Sequence, residues 1–211
     1  MHPEENKQNL INLFKRLPGI GPRQASRCVE FLRRSHKDFG DTFVDLVTTV
    51  RGQTAHCPDC QRLFSKPEDV SVELCRICFN PHRSDETILV VQQDIDIDQF
   101  EKTEAYDGKY FVLGGIVPVG KYDHVKSYIK IEELHQHLLK LKSNDKLPRE
   151  IILALQATPE ADQTVVYLKE YLREKFSDTL KIATLGRGLS TGTEIEYADP
   201  QTLTDAFNAR K

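Results

Sequence analysis

No stretch of this 211-residue chain is apolar over the roughly 20 residues that a membrane-spanning helix needs, which excludes a helical membrane protein. The N-terminal residues MHPEENKQNL also lack the apolar segment of a secretory signal, so the chain is expected to stay in the reducing cytoplasm. Cysteine is sparse, with five residues, and in a reducing compartment these are not expected to pair as disulfides. No sign of charge dominates either. The net charge of −3 conceals a split: residues 1 to 83 hold 13 Lys and Arg against 10 Asp and Glu, and residues 84 to 211 hold 16 against 22. A nucleic-acid partner, if there is one, is expected to meet the N-terminal part.

The cysteines that are present are arranged tellingly. Cys57-Pro58-Asp59-Cys60 and Cys75-Arg76-Ile77-Cys78 share one spacing. Two residues between thiolates let the backbone turn tightly over one metal ion, and two such turns supply the tetrahedral sulfur shell that zinc accepts. The reading is one structural Zn²⁺ per chain. Four thiolates leave no coordination position open, so this metal folds the chain rather than catalysing. His56 adjoins the first ligand as a substitute donor, but four cysteines suffice. Cys28 falls in an apolar helical pattern and reads as core.

The second informative segment is Leu17-Pro18-Gly19-Ile20-Gly21-Pro22-Arg23-Gln24-Ala25-Ser26-Arg27. Leu10, Ile11, Phe14 and Leu17 before it, and Ala25, Cys28, Val29 and Leu32 after it, recur at helical spacing. Gly19 and Gly21 permit a sharp turn and close approach to a ligand, and Pro22 suits the first turn of the next helix. The open N–H groups of that helix start can receive a phosphate, with Arg23 and Arg27 on one helical face beside it. This pattern looks like a helix-hairpin-helix, a device that grips the sugar-phosphate backbone without reading bases. An ordinary Gly-Pro turn between packed helices is the bland alternative. Lys15, Arg16, Arg33 and Arg34 would widen a phosphate track, or are solvated helix charges.

Asp41 is a candidate N-cap for a further helix that stops at Gly52. Beyond Pro81 strands and helices alternate. Strands are expected at Thr87 to Val91, Tyr110 to Leu113, Glu150 to Leu155 and Leu180 to Thr184, and helices at Asp94 to Lys102, around Ile131 to Leu141, and at Ala161 to Lys175. Such alternation predicts a parallel α/β sheet, with sites at strand ends. Gly186 to Thr193 lacks the Lys-Ser/Thr ending of a phosphate-binding P-loop and reads as a connection. Leu203, Ala206 and Phe207 predict a short terminal helix, docked either on its own sheet or on a neighbouring subunit.

In their order and spacing these parts resemble the RecR family of bacterial recombination mediators: LPGIGPRQASR, the four-cysteine module, a Toprim-like sheet, and Glu194-Ile195-Glu196-Tyr197-Ala198-Asp199 near the end. The fold class so implied is a multi-part α/β protein. Its parts are a helix-hairpin-helix over residues 1–55, a zinc module over 56–81, a Toprim domain over 82–176, and a C-terminal strand and oligomerisation tail over 177–211. The resemblance implies a non-enzymatic, sequence-independent DNA clamp that acts with RecO, and often RecF, to load recombinase on single-stranded DNA at gaps and breaks. It implies a homo-oligomer, dimer or ring-shaped tetramer, that is cytoplasmic and on the nucleoid when bound to DNA, with Arg23 and Arg27 facing the DNA.

Toprim enzymes use a strand-end glutamate and paired acids to hold Mg²⁺. Here the strand-end position holds Gln92, whose amide brings no charge and cannot act as a general base. Glu160 and Asp162 match the later acidic pair, and three roles stay open for them: a weak magnesium site, a contact to RecO, or favourable charge at a helix start. The alternatives to the clamp reading are a magnesium-dependent nuclease or primase-like Toprim enzyme, which needs Glu160 and Asp162 to suffice, and a zinc-containing module that recruits proteins and leaves DNA alone.

Overall fold

A computed structural model of the chain describes residues 3–66, 73–176, 180–189, 191–192 and 194–209. The chain divides into two compact units, residues 1–54 and 55–211.

The first unit is helical: α1 (Pro3–Phe14), α2 (Pro22–Arg34) and α3 (Lys37–Gly52). Ala25 and Val29, one turn apart on α2, are its fully buried residues. α1 stops at Phe14, short of Leu17, and the chain then descends through tight turns in which Leu17 N–H donates to the Phe14 carbonyl (3.0 Å) and Ile20 N–H to the Leu17 carbonyl (3.2 Å). α3 begins at Lys37 rather than after Asp41, and His36 stands at its N-cap. Gly40, inside the first turns, costs only about 1 kcal/mol in a helix and does not delay the start. α3 buries none of its side chains, although Phe43, Val44, Leu46, Val47 and Val50 lie along it.

The second unit opens with two short strands, β1 (Thr54–His56) and β2 (Leu63–Ser65), paired in a sheet of their own, followed by a single turn of helix, α4 (Arg76–Phe79). Next come β3 (Thr87–Val91), α5 (Asp94–Thr103), β4 (Lys109–Val112), a 3-10 turn at Tyr122–Ser127, α6 (Ile131–Ser143), β5 (Glu150–Ala154), α7 (Pro159–Phe176), β6 (Lys181–Thr184), a second 3-10 turn at Ile195–Tyr197, and α8 (Pro200–Asn208). The four longer-range strands form one sheet in the order β4-β3-β5-β6, all parallel. All four strands anticipated from the alternation are present, and each boundary moved by at most one residue.

Alternation along the strands sends successive side chains to opposite faces. Ile88, Val90, Phe111, Leu113, Ile151 and Leu153 pack on one face against Leu134 and Leu138 of α6 and Leu168, Leu172 and Phe176 of α7. Leu89, Val91, Tyr110, Val112 and Ala154 point the other way, into a second core that contains Ile97 of α5, Ile77 of α4 and the cysteines. The cysteine module thus covers sheet surface that a helix covers elsewhere in such folds. The loop after β4 is anchored by Val117, whose N–H donates to the buried Thr164 hydroxyl (3.0 Å).

Because the chain leaves β3 for a neighbour on one side and later returns to pair on the other, the strand order reverses at the carboxyl ends of β3 and β5. Such a reversal opens a crevice where ligands of parallel α/β folds bind.

Candidate metal centre and nucleic-acid interface

Each cysteine pair begins a tight backbone turn. Gln61 N–H donates to the Cys57 carbonyl and Cys57 N–H to the Arg62 carbonyl, both at 2.8 Å, and Gln61 takes the left-handed φ of 62° that closes the turn. Cys75 caps α4, and Phe79 N–H donates back to the Cys75 carbonyl (2.9 Å). The two turns bring all four Sγ atoms within 4.8 Å of one another, with Cys60 Sγ and Cys75 Sγ 3.5 Å apart. A tetrahedral shell with Zn–S bonds of ~2.3 Å has S···S edges of ~3.8 Å, so this donor set fits zinc. Cys75 N–H points at Cys57 Sγ (3.4 Å), an interaction that favours thiolate there. Thiols this close cannot all ionise alone: Cys60, Cys75 and Cys78 hold the Cys57 thiol well below its ordinary range, and Cys57, Cys60 and Cys75 push Cys78 up. A divalent cation resolves that conflict by accepting four thiolates together. Among the described residues, this is the one group of three or more potential ligands that converges.

The module is tied to the sheet by backbone and side chain alike. Val112 N–H of β4 donates to the Cys60 carbonyl (2.8 Å), so the first turn occupies the free edge of the outermost strand. Lys130 Nζ donates to the Gln61 carbonyl (3.2 Å), Lys140 pairs with Asp59 (2.9 Å), and Leu63 N–H donates to Asp94 (2.6 Å). Beside it, Arg83 bonds the Tyr106 and Gly108 carbonyls and pairs with Glu101, which also accepts from the Tyr110 hydroxyl (2.6 Å). Burial alone would push Glu101 up, but the Tyr110 and Arg83 donors outweigh it and hold the carboxyl below its usual range. Each side-chain pairing joins residues nine or more positions apart, and no local pattern announced them.

In the helical unit, Gly19 adopts φ 76° and Gly21 stands at the N-cap of α2 with Pro22 following. Gly21 has no side chain with which to cap, so by helix geometry the first-turn N–H groups of Arg23 and Gln24 stay open. Arg23 and Arg27 are exposed and have no acidic partner among the described residues. Of the four outer cations, Arg33 is committed to Glu30 (2.9 Å), which also holds Lys7 (2.8 Å), and Lys15 leans on Asn12 (3.4 Å). Cys28 is half-buried on α2 and takes no part in the cysteine cluster.

Among the described residues, Glu160 and Asp162, both in the first turn of α7, join no convergent group of three or more potential ligands. The crevice at the strand reversal, about 270 Å³, is lined by Gln92, Gln93, Gln99 and Gln156 with Asp96. Asp162 sits in a different cleft, where Arg187 grips both its carboxylate oxygens. Glu160 occupies the first turn of α7, its carbonyl accepting from Thr164 (2.8 Å). Of the glycine-rich segment, Ser190 and Thr193 lie outside the described residues.

A glycine-turned helical unit, a largely buried four-cysteine cluster and a parallel α/β sheet joined to a C-terminal helix define a multi-part α/β protein with a metal-binding module. The family described as RecR, C-terminal, matches residues 188–211. The chain is 35% identical to recombination protein RecR of Lactobacillus helveticus over 204 residues, 96% of this chain and 94% of that protein. It is 35% identical to the recombination protein RecR of a Synechococcus species (96% and 97% covered), and 31% identical to that of Chloroherpeton thalassium (96% and 95%). The chain belongs to the RecR family. No described helix is long and apolar enough to cross a membrane.

Proposed function

We propose that the protein is a non-enzymatic DNA clamp and adaptor in recombinational repair, acting with RecO, and with RecF where that partner is present, to load recombinase on single-stranded DNA. The reading is carried by relatives named recombination protein RecR that match 96% of the chain. The helical unit supports it: open first-turn N–H groups on α2, beside Arg23 and Arg27, which have no acidic partner among the described residues, suit a grip on phosphates. Gly19 and Gly21 hold the turn that aims it. The four cysteines, Cys57, Cys60, Cys75 and Cys78, bind one Zn²⁺ whose role is to fix the module against the sheet. The protein works in the cytoplasm, on the nucleoid.

The unsatisfied apolar surface of α3 supports self-association. α3 buries nothing while Val44, Leu46 and Val50 are each about 60% exposed, more apolar surface than an isolated helical unit normally leaves in water. A second copy of the chain is the occupant proposed, giving a dimer or a ring of four. We divide the chain functionally at 1–55, 56–81, 82–176 and 177–211.

The test is retention on nicked circular against linear DNA of one sequence under a high-salt wash with magnesium present. Retention on circles and loss from linear DNA is expected. Equal loss from both, with the DNA intact, would remove the clamp, and shortened DNA would replace it with a nuclease.

A further inference from the structure

A Toprim-like sheet implies a magnesium site, and the residues present do not fit one. The strand-end position on β3 is an amide, Gln92, and the crevice around it is otherwise lined mainly by amides. Its carboxylate, Asp96, accepts the Gln93 N–H (2.8 Å) as part of the cap of α5. Among the described residues no acidic group converges with it into a cation site.

Asp162, the second acid of the expected pair, is committed elsewhere. It lines a cleft of about 680 Å³ at the carboxyl ends of β5 and β6, one wall of which is α7 and another the end of α8. There Arg187 Nη1 donates to Asp162 Oδ2 (3.0 Å) while Nη2 pairs with Oδ1, the two-pronged geometry in which guanidinium meets carboxylate best. Asp205 of α8 lines the same cleft and adds its charge to the stabilisation of that guanidinium. One residue further on, Gly188 approaches Ala206 of α8, whose Cβ would stand 3.8 Å from a side chain placed there. Arg187 thus ties the first turn of α7 to the segment that leads into the terminal helix, immediately before the stretch that the RecR C-terminal family matches.

We propose that Asp162 is a latch, positioning the C-terminal segment on its own sheet through Arg187, in place of ligating a divalent cation. The pair is partly exposed, 49% at Asp162 and 37% at Arg187, so it biases the segment rather than locks it. A partner that offers its own carboxylate to Arg187 can displace it. The inference stands independently of the DNA-clamp reading, because both of its tests are made without DNA.

The experiment measures amide hydrogen exchange of residues 194–209 in the full zinc-loaded chain, as wild type, Asp162→Asn, Arg187→Gln, and the exchanged pair Asp162→Arg with Arg187→Asp. Exchange should rise about two- to fivefold in each single variant, the size that a partly exposed ion pair supports, and fall back in the exchanged pair. Mn²⁺, added separately as a probe for the divalent site, should show no binding to the wild type by calorimetry. Unchanged exchange in both single variants would remove the latch. Mn²⁺ binding that disappears in Asp162→Asn would restore the metal ligand in its place.

Discussion

Stripping the metal from the cysteine cluster should unfold far more than the module that holds it. Leu89, Val91, Ile97, Tyr110 and Val112 are each at most 2% exposed, and the second core they form is closed by the cysteine turns and α4. Fully burying a side chain of this size stabilises a protein by about 1.5–3 kcal/mol, so uncovering even half of the group would lose about 4–7 kcal/mol. Typical domains are stable by about 5–15 kcal/mol in total. A loss of that size corresponds to a fall of at least ~10 °C in the melting temperature of a unit this large. The same departure removes the Cys60 carbonyl from Val112 N–H and leaves the edge of β4 open to pairing with other chains, so aggregation should accompany it. The assay is calorimetric melting of chelator-treated protein and of Cys57→Ser, with zinc content measured on the same samples. The chain has no tryptophan, so near-ultraviolet ellipticity of Tyr110 and its neighbours supplies the optical signal. Protein verified as metal-free that melts within ~2 °C of the zinc-loaded form would show that the second core closes without the ion, and the argument would fall.

Arg23→Ala and Arg27→Ala should each weaken binding to any DNA sequence alike and reduce the logarithmic salt slope by ~0.9 for every phosphate no longer neutralised, measured by anisotropy titration at several salt concentrations; weakening on one base sequence alone would contradict phosphate recognition. Gly108→Ala should destabilise by about 1–3 kcal/mol in denaturant melts, because the added Cβ would fall 2.5 Å from Thr87 Oγ1 and crowd the Tyr106 hydroxyl that bonds the Lys109 carbonyl at 2.8 Å. Glu101 has its folded carboxyl held low by Tyr110 and Arg83, so its contribution to stability is present above the ordinary carboxylate range and is lost as pH falls through the depressed value. Thermal melts from pH 6 downward should therefore fall less steeply in Glu101→Gln than in wild type, and parallel curves would deny Glu101 that role.

Much of this protein was written locally. The spacing Cys57 to Cys60 and Cys75 to Cys78 specifies two chelating turns, because a backbone turn is a matter of four or five consecutive residues. Gly19 and Pro22 fix the joint between α1 and α2 for the same reason: φ above zero and a missing N–H are properties of the residues themselves. The strands could be read because runs such as Ile88 to Val91 are apolar throughout, as strands buried on both faces must be. The helix start at Asp41 was misplaced because several residues compete to cap and the choice depends on packing.

What the tertiary structure alone decided is where distant side chains meet. The sequence left Asp162 open among a cation, a partner and a helix start, and it gave no sign of the ion pair that Asp162 makes with Arg187, 25 residues away in the segment after β6. Likewise no local signal tells that the cysteine turns close one face of the sheet, that Cys60 covers the edge of β4, or that Arg83 finds Glu101 and Tyr110. Local conformation follows from the dihedral preferences and period of neighbouring residues. Pairings across the chain follow from strand order, and strand order is fixed only when the whole apolar surface is buried at once.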